Sequence, residues 1–319
     1  MGSKPRPRVS VVVPVYGCAD CIEELHRRLV AVLEPLVPSF ELVLVCDGSP
    51  DSSWAAIRKL GASDARVKGV SFSRNFGQHA AILAGTDFAE GDYMVVMDCD
   101  LQHSPSDIPA LWARAQEGFD VVFALRKNRK DSWFKRVSAR LYVRLRAWLT
   151  DSRGDPSISN FSIVSRKVVL ALRRLRERNR SYPYFVTWLG FDTATIEAEH
   201  QPRFAGETTY SLGKLFAHAV ESIVSASDKP LRLSIQWGLL MSAASLLWAA
   251  WLVVRYFAQG TGVEGWTSTM VSLFFVAGLL FANLGILGLY LGKVFDETKG
   301  RPLYAVKDTV NVPPEDDAS

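Results

Sequence analysis

Short apolar runs of strand length alternate with amphipathic stretches along the first part of the chain. The runs are rich in valine and leucine, and the stretches between them repeat apolar positions with the period of a helix. Predicted strands cover residues 9–13, 41–46, 67–72, 93–97 and 120–124, and predicted helices cover residues 20–34, 54–60, 80–88 and 108–117. Strand–helix alternation at this spacing predicts a mainly parallel sheet with helices on both faces, an α/β fold.

Two long apolar stretches dominate the last third of the chain. Residues 233–257 carry one charge, Arg255, and residues 268–292 carry none. Each stretch is longer than the roughly 20 residues that cross a bilayer as a helix. A core helix of a soluble protein is rarely this long and apolar on every side. The pattern therefore predicts two transmembrane helices, which together form a membrane domain of residues 229–295.

The charges beside these stretches predict their orientation. Basic residues flank the two outer ends, namely Lys229, Arg232, Lys293, Lys299 and Arg301. The connector, residues 259–267, holds a single charge, Glu264. Arg255 lies close to the connector, and its positive charge there counts weakly against a connector on the outside. Because basic residues concentrate on the cytoplasmic side of membrane proteins, both outer ends are expected in the cytoplasm and the connector outside. This orientation describes a multi-pass protein of the cell membrane.

The remaining segments complete the expected organisation. Residues 1–8 form a polar, basic tail that lacks the features of a signal peptide, so the sheet domain, residues 9–228, is expected to stay in the cytoplasm. Residues 133–149 mix arginines with aromatic residues, which suits either a helix at the membrane interface or an ordinary helix docked on the sheet. Residues 296–319 are expected to form a cytoplasmic tail that is disordered from about Lys307.

Composition and charge narrow the possible classes of function. The 319 residues allow about two domains, and 48% apolar with 22% charged residues excludes a disordered chain. A net charge of +4 is too small to indicate a nucleic-acid partner. Cys18 and Cys21 form a C-x-x-C pair, but a structural zinc site needs a second pair that the chain lacks. Reduced, partly buried thiols are therefore favoured over a metal or redox site.

Polar residues follow the carboxyl ends of the first four predicted strands, which is the edge where α/β sheets bind ligands. Asp98 and Asp100 flank one residue after the fourth strand, and two such carboxylates hold Mg²⁺ or Mn²⁺ together with phosphate oxygens. Asp47 follows the second strand in a tight turn, where an acid serves either a nucleotide base or ribose or the turn itself. The second interpretation is a simple turn and helix cap, since Ser49 and Asp51 are both residue types that cap helices.

At these motifs the sequence resembles a known family. Four segments come in the order and spacing of family 2 glycosyltransferases with the GT-A fold: Val12-Val13-Pro14-Val15-Tyr16, Asp47-Gly48-Ser49, Ser73-Arg74-Asn75-Phe76-Gly77 and Met97-Asp98-Cys99-Asp100-Leu101-Gln102. More narrowly, the chain resembles the polyprenyl-phosphate glycosyltransferases, which include bactoprenol glucosyltransferases and dolichol-phosphate mannose synthases. The resemblance continues through both apolar stretches to Lys299-Gly300-Arg301-Pro302 and covers nearly the whole chain.

The resemblance implies a function and a set of site residues. The chain is expected to transfer a sugar from a nucleotide-sugar, with UDP-glucose as the first candidate, to an undecaprenyl or dolichyl phosphate, with inversion and with Mg²⁺ or Mn²⁺. The implied metal residues are Asp98, Asp100 and Gln102; the implied donor-binding residues are Pro14, Tyr16, Asp47, Asp98 and Gln102; the implied catalytic residues are Asp98, Asp100, Arg126 and Arg203. Arginine suits phosphate groups because its guanidinium donates two parallel hydrogen bonds. Further expected partners are membrane lipids and a second copy of the chain, with no nucleic acid.

Departures from the family pattern leave donor selectivity open. Gly17-Cys18 stands where relatives continue with Asn-Glu, and Cys46 and Asn160 stand where aspartate is common. Two other functions are possible. A processive polysaccharide synthase shares this catalytic domain, but the chain lacks a Q-x-x-R-W motif and has too few predicted spans for a channel. A non-catalytic membrane scaffold with a degenerate transferase domain is the second, against which the intact acidic residues count.

Overall fold

The computed structural model describes residues 8–126, 158–177, 181–198, 227–259 and 265–312. These residues fall into two compact units. The first holds residues 8–126, 158–177, 181–198 and 301–312, and the second holds residues 227–259 and 265–300. Arg203, the possible interface helix 133–149 and most of the basic tail lie outside the described residues.

An eight-stranded sheet forms the centre of the first unit, in the order β7-β5-β6-β4-β1-β2-β3-β8. The strands are β1 Val9–Val15, β2 Phe40–Cys46, β3 Val67–Phe72, β4 Tyr93–Val96, β5 Val121–Arg126, β6 Ile158–Ser165, β7 Thr193–Ala198 and β8 Val306–Val310. β4, β1, β2 and β3 run parallel, whereas β6 lies antiparallel between β4 and β5. The predicted mainly parallel α/β sheet is confirmed.

Helices cover both faces of this sheet because its central strands alternate their side chains between two cores. In β1, Val11 and Val13 join one buried cluster, and Val12 joins the other. The helices of the first unit are α1 Ala19–Leu33, α2 Ser53–Ser63, α3 Gln78–Phe88, α4 Ile108–Gln116, α5 Arg166–Leu172 and α6 Tyr182–Trp188. α1, α2 and α4 pack into the first cluster, and α3, α5 and α6 pack into the second. All of β1 and β2 is therefore buried, which explains their continuous apolar sequences.

A buried ion pair ties the amino ends of three strands together. Glu41 Oε2 lies 2.7 Å from Lys68 Nζ, and the two side chains are 7% and 12% exposed. Glu41 Oε1 accepts hydrogen bonds from Ser10 Oγ at 2.5 Å and from the backbone N–H of Glu90 at 2.6 Å. The carboxylate is thus satisfied by a cation and two donors, which a buried charge requires.

The chain returns to the sheet at its C-terminal end, and this corrects the sequence prediction. Residues 307–312 were expected to be disordered, but β8 pairs antiparallel with β3, with Gly69 opposite Val310. Asn311 Nδ2 fixes the end of the strand by donating to the carbonyls of Gly61 at 2.7 Å and Val67 at 2.9 Å. The expected division into a domain 9–228 and a separate tail 296–319 is wrong for this segment. The five residues of β8 include two charges and form a run too short to predict a strand, and pairing with the open hydrogen-bonding edge of β3 orders them.

The second unit consists of two long helices, α7 Lys229–Gln259 and α8 Trp266–Thr298. Both predicted apolar stretches lie within them. Among the residues that the structure describes, one segment, Ser272–Thr298, is long and apolar enough to cross a membrane, with a mean hydropathy of 2.1 and no buried share. A second span, at residues 233–257, stays a prediction.

Replacing Lys68 with alanine is expected to lower the free energy of unfolding by about 3 kcal/mol, because the buried Glu41 carboxylate then loses its cation. Lys59→Ala is the matched control. Lys59 Nζ also lies 2.7 Å from a carboxylate, that of Glu23, but these side chains are 76% and 60% exposed. We expect no measurable loss for the control, because water and salt screen an exposed pair. Chemical denaturation followed by tryptophan fluorescence measures both variants, and equal losses would contradict the prediction.

Candidate active site

The four polar segments singled out in the sequence meet at one edge of the sheet. β1, β2, β3 and β4 run parallel, so the residues that follow them lie at the same edge. Tyr16 follows β1, Asp47 follows β2, residues 73–77 follow β3 and Asp98 follows β4 within two residues. The structure thus brings together the residues expected to bind a nucleotide and a cation.

Asp47 anchors the loop that follows β3. Asp47 is 3% exposed. Its Oδ1 accepts a hydrogen bond from the backbone N–H of Phe76 at 2.6 Å, and its Oδ2 accepts one from the backbone N–H of Gly77 at 2.9 Å. Burial raises the pKa of Asp47, and the two N–H donors and the nearby Arg74 oppose that rise. The family resemblance implies that Asp47 contacts a nucleotide base, which stays a prediction. The geometry adds a structural role, because a buried carboxylate needs these donors.

Gly48 allows the close approach between the turn after β2 and the loop after β3. Its φ is +60°, a left-handed conformation that favours glycine. A Cβ atom on Gly48 would lie 2.4 Å from the carbonyl carbon of Arg74 and 2.5 Å from the backbone nitrogen of Asn75. No side chain fits there without moving backbone, so Gly48 is required for the Asp47 hydrogen bonds to form.

Ser49 and Asp51 join the turn after β2 to the loop after β1. Ser49 Oγ accepts the backbone N–H of Gly17 at 2.8 Å and donates to Asp51 Oδ1 at 2.5 Å. Asp51 Oδ2 also accepts the backbone N–H of Ala19 at 3.2 Å. Burial raises the pKa of Asp51, but hydrogen bonds from Ser49 and Ser53 outweigh it and bring the pKa to about 2. The hydrogen bonds of Ser49 and the ionised Asp51 thus hold the loop that carries Tyr16. Tyr16 itself is 53% exposed.

Pro14 lies inside β1 and is buried, although proline rarely occupies a central strand. It is opposite Val45 on the β2 side. On the other side, the pairing of β1 with β4 ends at Val12 and Val96, and the N–H of Met97 donates to the carbonyl of Val12. Proline has no N–H to donate, and the pairing of β1 with β4 ends before this position. Contact of Pro14 with a nucleotide stays a prediction.

Gln78 is a site residue that the sequence motifs did not include. Its Nε2 donates to Asp98 Oδ1 at 2.6 Å. The predicted helix began at residue 80, whereas α3 begins at Gln78, which places this side chain in the first turn. The place of Gln78 in the sequence, directly after the 73–77 motif, could have indicated that it belongs to the site. Residues 76–78 thus hold both Asp47 and Asp98.

The segment after β4 bends sharply next to its two acids. Leu101 has a φ of +59°, which is unusual for a bulky side chain and costs on the order of 1 kcal/mol. Its side chain is buried in the first cluster, which stabilises the bend. Asp100 Oδ1 accepts the backbone N–H of Gln102 at 3.1 Å. Strained backbone beside Asp98 and Asp100 marks this turn as a functional candidate.

The donor set at this turn fits a magnesium-type cation. Asp98 and Asp100 are partly exposed, whereas Cys99 between them is buried. Within the described ranges, no group of three or more histidine, cysteine, aspartate or glutamate side chains could hold a metal ion. Mg²⁺ characteristically takes one or two carboxylates and completes its shell with phosphate oxygens and water. Two carboxylates are therefore a suitable set for a cation that arrives with a diphosphate.

Of the two arginines expected to contact phosphates, the structure describes Arg126 but not Arg203. Arg126 is the last residue of β5, opposite Ala198 of β7. Because β5 and β4 both run antiparallel to β6, the carboxyl end of β5 lies at the same edge as that of β4. Arg203 lies outside the described residues. Asn160 is near the start of β6, which antiparallel pairing also brings to this edge.

All four cysteines are free and buried, whereas the sequence predicted partly buried thiols at Cys18 and Cys21. A hydrogen bond with Cys99 and burial raise the pKa of the Cys18 thiol, and burial raises those of Cys21 and Cys46. Thiols with raised pKa values are protonated at neutral pH and are poor nucleophiles. Cys18 and Cys21 both belong to the first buried cluster, so the C-x-x-C pair is part of the packing beneath the site.

Replacing Gly48 with alanine is expected to destabilise the protein more than the same change at Gly17. Gly17 has a similar φ of +65°, but nothing lies within 4 Å of a Cβ there. Gly17→Ala should lower the free energy of unfolding by about 1 kcal/mol through the backbone conformation alone. Gly48→Ala should lower it by about 2 kcal/mol more, because the added methyl overlaps backbone. Chemical denaturation measures both, and equal losses would show that the approach to Arg74 is not tight.

Comparison with known proteins identifies the family of this chain. The Glycosyl transferase family 2 model matches residues 10–173. The uncharacterized glycosyltransferase YkcC of Bacillus subtilis (strain 168) is 37% identical over 95% of this chain and 94% of that protein. The bactoprenol glucosyl transferase of Shigella phage SfX is 34% identical over 94% of this chain and 99% of that protein. A crystal structure of glucosyl-3-phosphoglycerate synthase from Mycobacterium tuberculosis, in complex with Mn²⁺ and UDP-glucose, is 19% identical, covers 68% of this chain and 77% of that chain, and has a TM-score of 0.48. By its family match and its full-length relatives, this chain belongs to glycosyl transferase family 2.

Proposed function

We propose that this glycosyltransferase moves a sugar from a nucleotide-sugar, with UDP-glucose as the first candidate, to a polyprenyl phosphate in the membrane. One observation carries the proposal. The acids Asp47, Asp98 and Asp100 meet at one sheet edge, in a chain that also carries the exposed apolar segment Ser272–Thr298. The bactoprenol glucosyl transferase of phage SfX matches 94% of the chain, which supports the lipid acceptor.

The donor would bind across the ends of β1, β2 and β4. Tyr16 offers an exposed aromatic ring for stacking on the base. Asp47 would accept a hydrogen bond from the base or ribose through the lone pairs that the loop N–H groups leave, since each carboxylate oxygen has two. Arg74 lies over the ring of Phe76, 4.1 Å from its centroid, and adds positive charge beside this loop.

Asp98, Asp100 and Gln102 would hold Mg²⁺ or Mn²⁺ at the turn after β4. The cation supplies neutralisation of the charge that develops on the departing diphosphate. Two carboxylates alone bind such a cation weakly, because most of its shell is then water. Cation and nucleotide are therefore expected to bind together, and Gln78 restrains Asp98 for that encounter.

The acceptor needs no general base in this reaction. A lipid monophosphate has its second pKa near 6, so it is largely dianionic at neutral pH. One phosphate oxygen forms a bond to the anomeric carbon, and the bond from that carbon to the donor diphosphate breaks, which releases the nucleoside diphosphate with its electron pair. A single displacement of this kind inverts the anomeric configuration. Arg126 and Arg203 would reduce the repulsion between the two anions by preorganised positive charge.

The membrane parts would hold the site at the lipid surface. We assign two spans, residues 233–257 and 268–292, with both outer ends and the sheet domain in the cytoplasm, because the basic residues lie at those ends. The segment 133–149 would lie at the interface, where anionic lipids attract its arginines. Among the described residues, no atom lies within 4 Å of the place that a Cβ would take on Gly278, Gly285 or Gly288, which leaves room for helices of a second copy.

Purified full-length protein is expected to transfer label from one of a panel of radiolabelled nucleotide-sugars to undecaprenyl phosphate when Mg²⁺ is present. EDTA should abolish the lipid-extractable label, and Asp100→Asn should lower it by about 100-fold, because the cation that neutralises the departing diphosphate loses a carboxylate ligand. Asp92→Asn is the matched control, since Asp92 precedes β4 at the opposite edge and pairs with Arg8 near the surface.

Two outcomes would overturn parts of this proposal. A product with retained anomeric configuration excludes the single displacement. Folded protein that binds nucleotide but labels no lipid from any donor excludes the polyprenyl phosphate acceptor and favours a non-catalytic role.

The proposed orientation predicts a specific labelling pattern in intact cells. A membrane-impermeant maleimide should label Gly265→Cys in the connector and should label Thr298→Cys only after lysis. The native thiols are buried and serve as the background. Labelling of both variants in intact cells would place the two ends of α8 on the outer side and contradict the positive-inside assignment.

A further inference from the structure

Tyr304 contacts both elements that flank the loop of residues 73–77. Its ring stacks on the ring of Phe72, with centroids 5.1 Å apart and planes inclined by 13°. Its hydroxyl donates to Asp87 Oδ2 at 2.7 Å. Phe72 is the last residue of β3, and Asp87 is next to the last residue of α3. One side chain, contributed by the segment that follows α8, thus spans the end of the strand before the loop and the end of the helix after it.

The same segment also holds the beginning of the loop through its backbone. The carbonyl of Ala305 accepts the N–H of Ser73 at 3.0 Å. Phe72 in turn packs edge-on against Phe76, with centroids 5.6 Å apart and planes inclined by 86°. The N–H of Phe76 donates to Asp47. Direct contacts therefore run from Tyr304 through two aromatic rings to the buried carboxylate of the site.

We propose that Tyr304 is a positioning residue of the donor site: it fixes the strand and helix on either side of the 73–77 loop, and so keeps the N–H groups of that loop on Asp47. The loop itself exposes Ser73, Arg74 and Asn75 to solvent, so its shape depends on what holds its two flanks. Binding of the nucleotide-sugar then depends on the chain that continues beyond α8.

The ring and the hydroxyl of Tyr304 have separable roles. Asp87 also accepts from Arg176 Nη1 at 2.9 Å and Nη2 at 3.2 Å, so it keeps a partner when the hydroxyl is removed. Tyr304→Phe keeps the ring stack on Phe72 and should therefore leave the positions of β3 and the loop nearly unchanged. Tyr304→Ala removes the stack on Phe72 and should release the loop.

Amide hydrogen exchange of the full-length protein, without any ligand, tests the proposal directly. In Tyr304→Ala, we expect the N–H groups of Phe76 and Gly77 to exchange about 10-fold faster than in the parent chain, because local opening frees them from Asp47. Tyr304→Phe should change the exchange by less than about 3-fold. Thr309→Ala is the matched control, because Thr309 lies on β8 but is exposed.

Peptides from β1 and β2 report whether any change is local. Faster exchange at residues 76 and 77 with unchanged exchange in β1 and β2 supports the positioning role. Equal exchange at residues 76 and 77 in Tyr304→Ala and Thr309→Ala overturns it. Faster exchange throughout the sheet in Tyr304→Ala also overturns it, because Tyr304 then stabilises the whole domain rather than the loop.

A kinetic measurement links this role to the proposed function, on which it rests. Tyr304→Ala should raise the KM for the nucleotide-sugar by about 10-fold with little change in kcat, the pattern of a lost binding contribution. An unchanged KM with faster loop exchange would overturn the link to donor binding. If the parent chain shows no transfer at all, the proposed function fails, whereas the exchange result still decides whether Tyr304 positions the loop.

Discussion

The candidate site depends on one buried carboxylate, that of Asp47. Its two oxygens accept the N–H groups of Phe76 and Gly77, and these hydrogen bonds join the turn after β2 to the loop after β3. A carboxylate that is 3% exposed and lacked donors would be costly to ionise, so the loop and the acid stabilise each other. Gly48 makes the contact possible because no Cβ separates the two backbones. Gln78 directly follows this junction and donates a hydrogen bond to Asp98.

A second acidic residue, Asp51, fixes the other side of the site. Hydrogen bonds from Ser49 and Ser53 keep the pKa of Asp51 at about 2 despite its partial burial. The carboxylate that binds the loop after β1 therefore stays charged at neutral pH. The turn after β2 therefore holds its neighbours on both sides, β1 through Ser49 and β3 through Asp47. A nucleotide would meet a surface that is assembled before it binds, which lowers the entropy that binding must offset.

The order of elements along the chain separates the sheet from its last strand. Two long helices, α7 and α8, come between β7 and β8, and β8 then covers the edge of β3. An uncovered edge strand would leave its N–H and C=O groups open to pairing with other chains. The return of the chain also delivers Tyr304 to Phe72 and Asp87, next to the loop that holds Asp47. The sheet domain is therefore complete only with residues that follow the apolar helices.

The sequence by itself determined the parallel core of the sheet, the two apolar stretches and the edge at which the acids collect. These features are local, because strand and helix periods and the position of an acid after a strand are written in consecutive residues. Only the tertiary structure decided that β6 lies between β4 and β5, that Gln78 reaches Asp98, and that residues 306–310 form a strand. Each of these depends on partners distant in sequence, and β8 is ordered by its pairing with β3, from which more than 200 residues separate it.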